Sequence, residues 1–589
     1  MNRDLPLARA GCAFFLALAA CQDPTKPDVA AHPPDPIEVP QVEDCAASQE
    51  WLPVTPPLGT PTYVRPAPHP ETECPFYRGA WQTFLVATQP DTRPDFIGEP
   101  ALKSYAVLDD VFQRYTPVDN LLAPSGTPRG TPDRAWLGDV KQAGGREILL
   151  DQNGHTLYYG IHVNQAFVDF IRENRLETAK AIQDASPTLF LPGGLAEFKS
   201  AWQEVDGITD PNDPELADYI WTQAWVPTLE QAGDGTIEEN RNRPRQITVR
   251  LLAIHAVFTI PGHPEFVWGS LEHTDVDASK GETDTKAADG HRNVAPVVAP
   301  DVTGHLQNPN ADDPNNLNNS TIVADHGNFL VYKPGVPANQ GDQSLAEKDL
   351  VLDGDSQTFR VKATGAIAQT SIYRMFPASK SNTVDPDDAI SSLNHNVEQL
   401  FLRAQQAGHL DANDKRMHYR LVGAQWMDKP AFFTLDSTLQ NDRVNPLLLD
   451  PNKYDAMNQA GERIEVLAKN AAPDKTDADT VLADLRERGS DSPFSILAGE
   501  DRMSSTAMES FTQRPDSFFN CFSCHNTQAV TAKGVPVSKG DVAQIQLLKP
   551  KLLNVSHVFS QFVLEECGED PANLVDNEDS PGAKRVQCP

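Results

Sequence analysis

Residues 518–528 read FFNCFSCHNTQ, which places Cys521, Cys524 and His525 within five positions. Two thiols separated by two residues and followed at once by an imidazole is the arrangement that attaches a haem covalently. The thiols form thioethers with the porphyrin and the imidazole reaches the iron from the proximal side. Cys521 and Cys524 are therefore expected to hold one haem c, with His525 as the proximal ligand. A thioredoxin-like dithiol would follow a strand of a βαβ unit, whereas the polar stretch TQRPDSFFN precedes this pair. A zinc site would need further ligands, and downstream the chain offers only His557, Cys567 and Cys588. The motif occurs once, which argues against di-haem peroxidases and multihaem wires.

The sixth position of the iron has three candidate protein ligands. His557 lies in LLNVSHVFSQFVLEEC, a helical pattern with Val555, Val558, Phe559, Phe562 and Val563 on one apolar stripe. Met503 and Met508 lie upstream in RMSSTAMESFTQRP, where Thr506 and Glu509 form a capping box. A thioether ligand would give a higher potential, an imidazole a lower one, and an open position would admit peroxide, oxygen or nitrogen-oxide chemistry. By default a Met in such a helix is core filler.

A second set of chemistry-bearing residues lies in RQITVRLLAIHAVFTIPGHPEFVWGSLEH, residues 245–273, which reads as a β-hairpin turning at Pro261 to Pro264. If Ile260 opposes Glu265, His255 faces Ser270 and lies diagonal to Glu272. His255, Trp268 and Glu272 then share one face and His273 takes the other. His255, Glu272 and His273 are thus the non-haem candidates for acid–base work or metal binding; a buried histidine satisfied by one carboxylate is the commoner use of such a pair.

What must position these residues starts with the compartment. The chain opens MNRDLPLARAGCAFFLALAACQ, with Arg3 and Arg9 ahead of an apolar run from Ala10 to Ala20 that suits an export signal. Leu18-Ala19-Ala20-Cys21 resembles a bacterial lipobox, which implies lipidation of Cys21 and removal of residues 1–20. An ordinary signal peptide cut nearby is the alternative. Gln22 rather than Asp after the cysteine implies the outer membrane, facing the periplasm or the cell surface.

Eight cysteines are then allotted. Cys12 leaves with the signal, Cys21 takes lipid and Cys521 and Cys524 take haem, leaving Cys45, Cys74, Cys567 and Cys588. Four cysteines in an oxidising compartment form two disulfides with three possible connectivities, of which sequence proximity favours Cys45–Cys74 and Cys567–Cys588. With 49 basic against 82 acidic side chains the net charge is −33, which argues against a nucleic-acid partner. That charge favours solubility, and it could also steer a basic redox partner.

Along the 589 residues, 21–70 form a Pro-rich tether, 71–489 an α+β body carrying a polar insertion at 274–320, and 490–589 a small, mainly helical haem region. Within the body, CPFYRGAWQTFLVAT, AFVDFIRENRLETAKAI, LAEFKSAWQEV, AISSLNHNVEQLFLRAQQ and ADTVLADLRERG read as helices. TFRVKATGAIAQTSIY and YRLVGAQW read as strands, and REILLDQNGHTLYYGIHV as a hairpin around Asn153-Gly154. The body is α+β with hairpins and segregated helices.

In order, AWQTFL, EFKSAW, FVWGSLEHTD, YRLVGAQW, STAMESFTQ and CFSCH resemble a group of poorly characterised exported bacterial cytochrome c family proteins, in which a large N-terminal region precedes one C-terminal haem motif. The resemblance covers residues 74–530 through short islands. It implies haem binding at Cys521, Cys524 and His525 and electron transfer, and carries no substrate. That group tends to have Asp-Asn after the Glu-His pair, where this chain has Asp275-Val276, so no role for that loop carries over; the acidic insertion and the Cys567–Cys588 tail are further departures. The expected function is an anchored mono-haem electron carrier; a haem-dependent oxidoreductase with an open distal site and an envelope scaffold with a structural haem are the alternatives.

Overall fold

In the computed structural model, the described residues are 45–48, 51–52, 74–90, 100–112, 136–141, 148–274, 330–333, 345–372, 389–427, 497–499, 505–508, 529–531, 544–546, 557–576 and 584–589. Residues 91–99, 187–188, 190, 206, 209, 211–212, 261–262, 332, 506 and 569 within or between these spans are not among them. The polar insertion from 275 onward and the helix expected at 478–489 also lie outside the described residues.

The organising element is an eight-stranded sheet. β1 (Ala106–Val107), β2 (Leu157–Val163), β3 (Ala196–Glu204), β5 (Ile237–Ile260), β6 (His263–His273), β9 (Tyr419–Met427) and β10 (Leu497–Gly499) follow one another across it, every pairing antiparallel. β4 (Trp221–Gln231) pairs with β5 below the point where β6 leaves it, so β4 and β6 share one edge of the same long strand. β7 (Leu350–Asp353) and β8 (Thr358–Val361) pair with each other in a separate two-stranded sheet, and helices and antiparallel strands together make the body α+β.

One face of the sheet is apolar because α1 (Cys74–Thr88) and α4 (Ala389–Gln406) cover it. Phe76 stacks on Trp426 with ring centroids 3.8 Å apart. Gly269 of β6 lets α1 approach closely, since a Cβ there would stand 2.5 Å from the Cβ of Ala80. Asn394 ties the layers together: its Oδ1 accepts from Trp81 Nε1 at 2.9 Å and from the Leu421 amide at 3.0 Å.

The other face carries two apolar clusters. At one end α2 (Gln165–Glu173), α3 (Ala179–Asp184) and α5 (His557–Val563) pack on Val163, Val257 and Trp268. The helical pattern 166–182 breaks into α2 and α3 because Arg175 takes φ +56° and Thr178 caps the second helix through the Ala181 amide. At the other end Tyr159, Ala201 and Ala253 meet Val331, Ile372, Ala507 and Met508.

One expectation is corrected here. LAEFKSAWQEV is strand β3, not helix: Phe198 and Trp202 satisfy a helical spacing, but Glu197, Lys199 and Gln203 alternate with Ala196, Phe198 and Trp202 at period two. Part of the tether belongs to the body, because Cys45 is bonded to Cys74 and Trp51 and Leu52 are buried in the main core. In the C-terminal stretch β10 extends the main sheet and α5 packs on its second face. Its described residues also include strands at 529–531, 544–546, 574–576 and 584–586.

The hairpin expected around Asn153-Gly154 forms, with Gly154 at φ +85° and Leu150 bridged to Thr156. Asp151 anchors it: its carboxylate accepts from the Asn153 and His155 amides, each at 2.9 Å, and from Gln203 Nε2 at 2.7 Å. Burial nevertheless pushes this carboxyl above its ordinary 3.8, outweighing those bonds. A carboxyl with a raised folded pKa keeps its proton longer when folded, so its contribution to stability is greatest in acid and falls as pH rises through that pKa. Urea unfolding of Asp151→Asn and the parent between about pH 4 and pH 7 should therefore differ in slope, the parent losing up to about 1.4 kcal/mol more per pH unit inside the titration window. Parallel pH profiles would contradict this.

Among the described residues no helix is long and apolar enough to cross a membrane.

Candidate functional site

The covalent motif, Cys521, Cys524 and His525, lies outside the described residues, as do Cys21 and Met503. What the fold contributes is the allotment of the other thiols. Cys45 is bonded to Cys74 and Cys567 to Cys588, the pairing that sequence proximity favours. These are the four cysteines among the described residues; Cys12, Cys21, Cys521 and Cys524 lie outside them. By residue type and spacing, two thiols and an adjoining imidazole are a donor set that fits a haem c.

Of the candidate distal ligands, Met508 is fully buried and sits in the apolar cluster on the second sheet face with Leu330, Val331 and Ile372. The neighbouring Ala507 carbonyl accepts a 3.0 Å hydrogen bond from the Tyr159 hydroxyl. Met508 therefore occupies the setting of a core methionine. His557 opens α5, whose Val558, Phe559, Phe562 and Val563 form the buried stripe.

The hairpin register brings the second set of candidates together. Ala253 opposes Glu272, Ile254 opposes Leu271 and His255 opposes Ser270. Directly opposed residues project to the same face, so His255, Ser270 and Glu272 share one with Trp268, and His273 takes the other. The turn differs from expectation: Ile260 opposes His263 rather than Glu265, and a bulge at Phe266, which adopts φ +70°, absorbs two extra residues on β6. Downstream of that bulge the expected register is restored.

His273 is thereby separated from His255 and Glu272. Its ring stacks on Tyr219 at 3.7 Å and its Nε2 lies 3.0 Å from the Asp218 carbonyl oxygen. Tyr419 stands edge-on at 5.1 Å and His418 Nε2 is 3.5 Å from the Asp218 carboxylate. These contacts lock His273 where β4 and β6 meet, which is a packing role.

In the place of His273, β3 supplies residues that sequence reasoning missed. Lys199 lies directly opposite His255, and Glu197 opposite Val257, on the same sheet face. Across three adjacent strands the row reads Lys199, His255, Ser270, with Gly423 of β9 beyond it; the next row adds Trp268 and Gln425. Lys199 is 6% exposed, His255 6%, Glu197 4%, and Ser270, Glu272 and Gln425 are fully buried. The strip lies between the two apolar clusters of that face, and Lys199 Nζ stands 5.3 Å from the Tyr159 ring centre.

Burying ionisable groups in mid-sheet costs several kcal/mol per ion unless they are paired. Glu197 and Glu272 are two strands and four residues apart, about 16 Å between backbones at ordinary strand spacings. Among the described residues no group of three or more His, Cys, Asp and Glu is placed to hold a metal ion.

Compared with protein-family models, with curated proteins and with solved structures, the chain matches none of them.

Proposed function

We propose that the protein is an exported, lipid-anchored mono-haem cytochrome c that transfers electrons in the bacterial cell envelope. It belongs with the exported cytochrome c family proteins whose motif order it resembles. One observation carries this reading: Cys521, Cys524 and His525 stand in thioether and ligand spacing in a chain that pairs Cys45 with Cys74 and Cys567 with Cys588. Disulfides belong to an oxidising compartment, which is also where haem c is held. Cys521 and Cys524 hold the porphyrin, His525 takes the proximal position, and Met508, Met503 or His557 takes the distal one. The haem region comprises residues 490–589, anchored on the body through α5 and β10. When bound, haem supplies a reversible one-electron iron couple. Cys21 carries the lipid and places the protein at the outer membrane. A net charge of −33 favours a basic protein as redox partner.

The test is the intact mass of the mature protein after denaturation. A mass equal to the lipidated polypeptide from Cys21 plus one haem supports the reading. A polypeptide with two fewer hydrogens at Cys521 and Cys524 and no haem identifies a dithiol instead.

A further inference from the structure

We propose that the strand edge at Ile367 pairs with the same edge of a second copy of this chain, giving a two-fold symmetric dimer. This dimer does not depend on the haem reading.

The inference starts from the ribbon made by β7, β8 and residues 366–368, the last of which fold back onto β8 by pairing Ile367 with Arg360. Its inner face keeps period two: Leu350, Phe359 and Ala368 are buried in the main core, and Leu352 and Val361 pack against it. The outer face of such a ribbon is ordinarily polar. Here Val351, Arg360 and Ile367 lie opposite one another in one row across it. Val351 is 44% exposed and Ile367 46%, and these two are the exposed large apolar side chains among the described residues.

The two edges of the ribbon differ. That of β7 is capped by the Gln231 side chain, whose Nε2 donates to the Leu350 carbonyl oxygen at 3.0 Å and whose Oε1 accepts from the Leu352 amide at 3.1 Å. The opposite edge is open. The Ala368 amide donates to the Phe359 carbonyl oxygen at 2.9 Å and the Val361 amide to the Ala366 carbonyl oxygen at 2.8 Å, so the N–H and C=O of Ile367 between them point away from β8. Among the described residues neither group has a hydrogen-bond partner. An open edge beneath an exposed isoleucine is a template for a further strand.

A second copy fits this edge. A residue that turns both main-chain groups outward can pair with its own copy in an antiparallel ladder, each N–H donating to the other's C=O across a two-fold axis. That pairing sets the two isoleucines side by side, where each covers the other. Residues 350–370 carry Asp353 and Asp355 against Arg360 and Lys362, so two ribbons meet with balanced charge. A partner recognised by charge would meet a charged surface, whereas this edge offers main-chain groups and an isoleucine, all of which the identical edge satisfies. The net charge of −33 on each copy opposes the approach at long range, so salt should strengthen the dimer by screening.

The test is sedimentation equilibrium of the mature protein in density-matched detergent, at about 0.05 M and about 0.5 M salt. The expected result is a reversible monomer–dimer equilibrium that shifts toward dimer at the higher salt. Ile367→Lys should weaken dimerisation at least about tenfold, because the change is made twice in the symmetric contact. A disulfide trap reads the geometry. An antiparallel hydrogen-bonded pair holds its Cα atoms about 5.5 Å apart, within the range a disulfide spans. Ile367→Cys should therefore form an intermolecular disulfide under mild oxidation. Val351→Cys, an equally exposed position, should not, since five strand spacings put its two copies about 24 Å apart. A monomer at both salt concentrations, a dimer that Ile367→Lys leaves intact, or a Val351→Cys protein that cross-links as readily as Ile367→Cys would each overturn the proposal.

Discussion

Alanine in place of His525 should abolish the low-spin haem spectrum while export and covalent attachment persist. The thioethers at Cys521 and Cys524 need only the thiols, so the porphyrin stays on the chain; the proximal imidazole is what sets the ligand field. The reduced variant should lose the sharp low-spin bands and bind carbon monoxide on the vacated side. Replacing both Cys521 and Cys524 by alanine should go further and yield an exported protein that releases all haem on denaturation. Visible spectra and a haem-stained denaturing gel read the two effects separately. Persistence of an unchanged low-spin spectrum in His525→Ala would show that another residue holds the proximal face.

The second large effect is expected far from the motif, at Gly269. A Cβ built there stands 2.5 Å from the Cβ of Ala80 and 3.3 Å from the Ala256 carbonyl oxygen, so α1 must retreat from the sheet to admit it. That helix also carries Phe76, Trp81 and Phe84, all buried in the main core. Overpacking of this kind costs about 1–3 kcal/mol for one added methyl, and Gly269→Val should reach or exceed the top of that range. Urea unfolding of Gly269→Ala, Ala80→Gly and the double variant checks the mechanism. The double variant should be more stable than the sum of the single losses predicts, because removing the Ala80 methyl relieves the contact while costing about 1 kcal/mol of helix propensity on its own. Additive losses would show that the clash is not the cause.

Much of the scaffold is legible in the residues themselves. α1, α4 and β9 follow their patterns because each presents one strong period to a single apolar layer. The pairing of His255 with Ser270 follows from β-branched runs flanking a Pro-Gly turn, even though the bulge at Phe266 shifts the turn itself. β3 was not legible in this way. Its polar residues, which alternate with apolar ones, would ordinarily face water, and nothing local reveals that both faces of this central strand are covered. Taking EFKSAW for a helix hid Glu197 and Lys199, and with them half of the buried strip. The same limit applies to Trp51 and Leu52: a Pro-rich composition predicts an extended arm, whereas the Cys45–Cys74 bond draws two apolar side chains into a core assembled from distant segments. The place of α5 is likewise a matter of long-range packing, against α3 and the Val257 and Trp268 side chains, to which its own periodicity is blind.

The most direct test of the electron-carrier reading is the visible absorption spectrum of the purified mature protein, oxidised and reduced, with and without carbon monoxide. The account predicts a single low-spin haem c whose reduced spectrum carbon monoxide leaves unchanged, because a protein ligand fills the sixth position; Met508→Ala, Met503→Ala and His557→Ala then identify which of the three candidates it is. A high-spin oxidised form, or ready carbon monoxide binding on reduction, would contradict it and make an open-site oxidoreductase the better description.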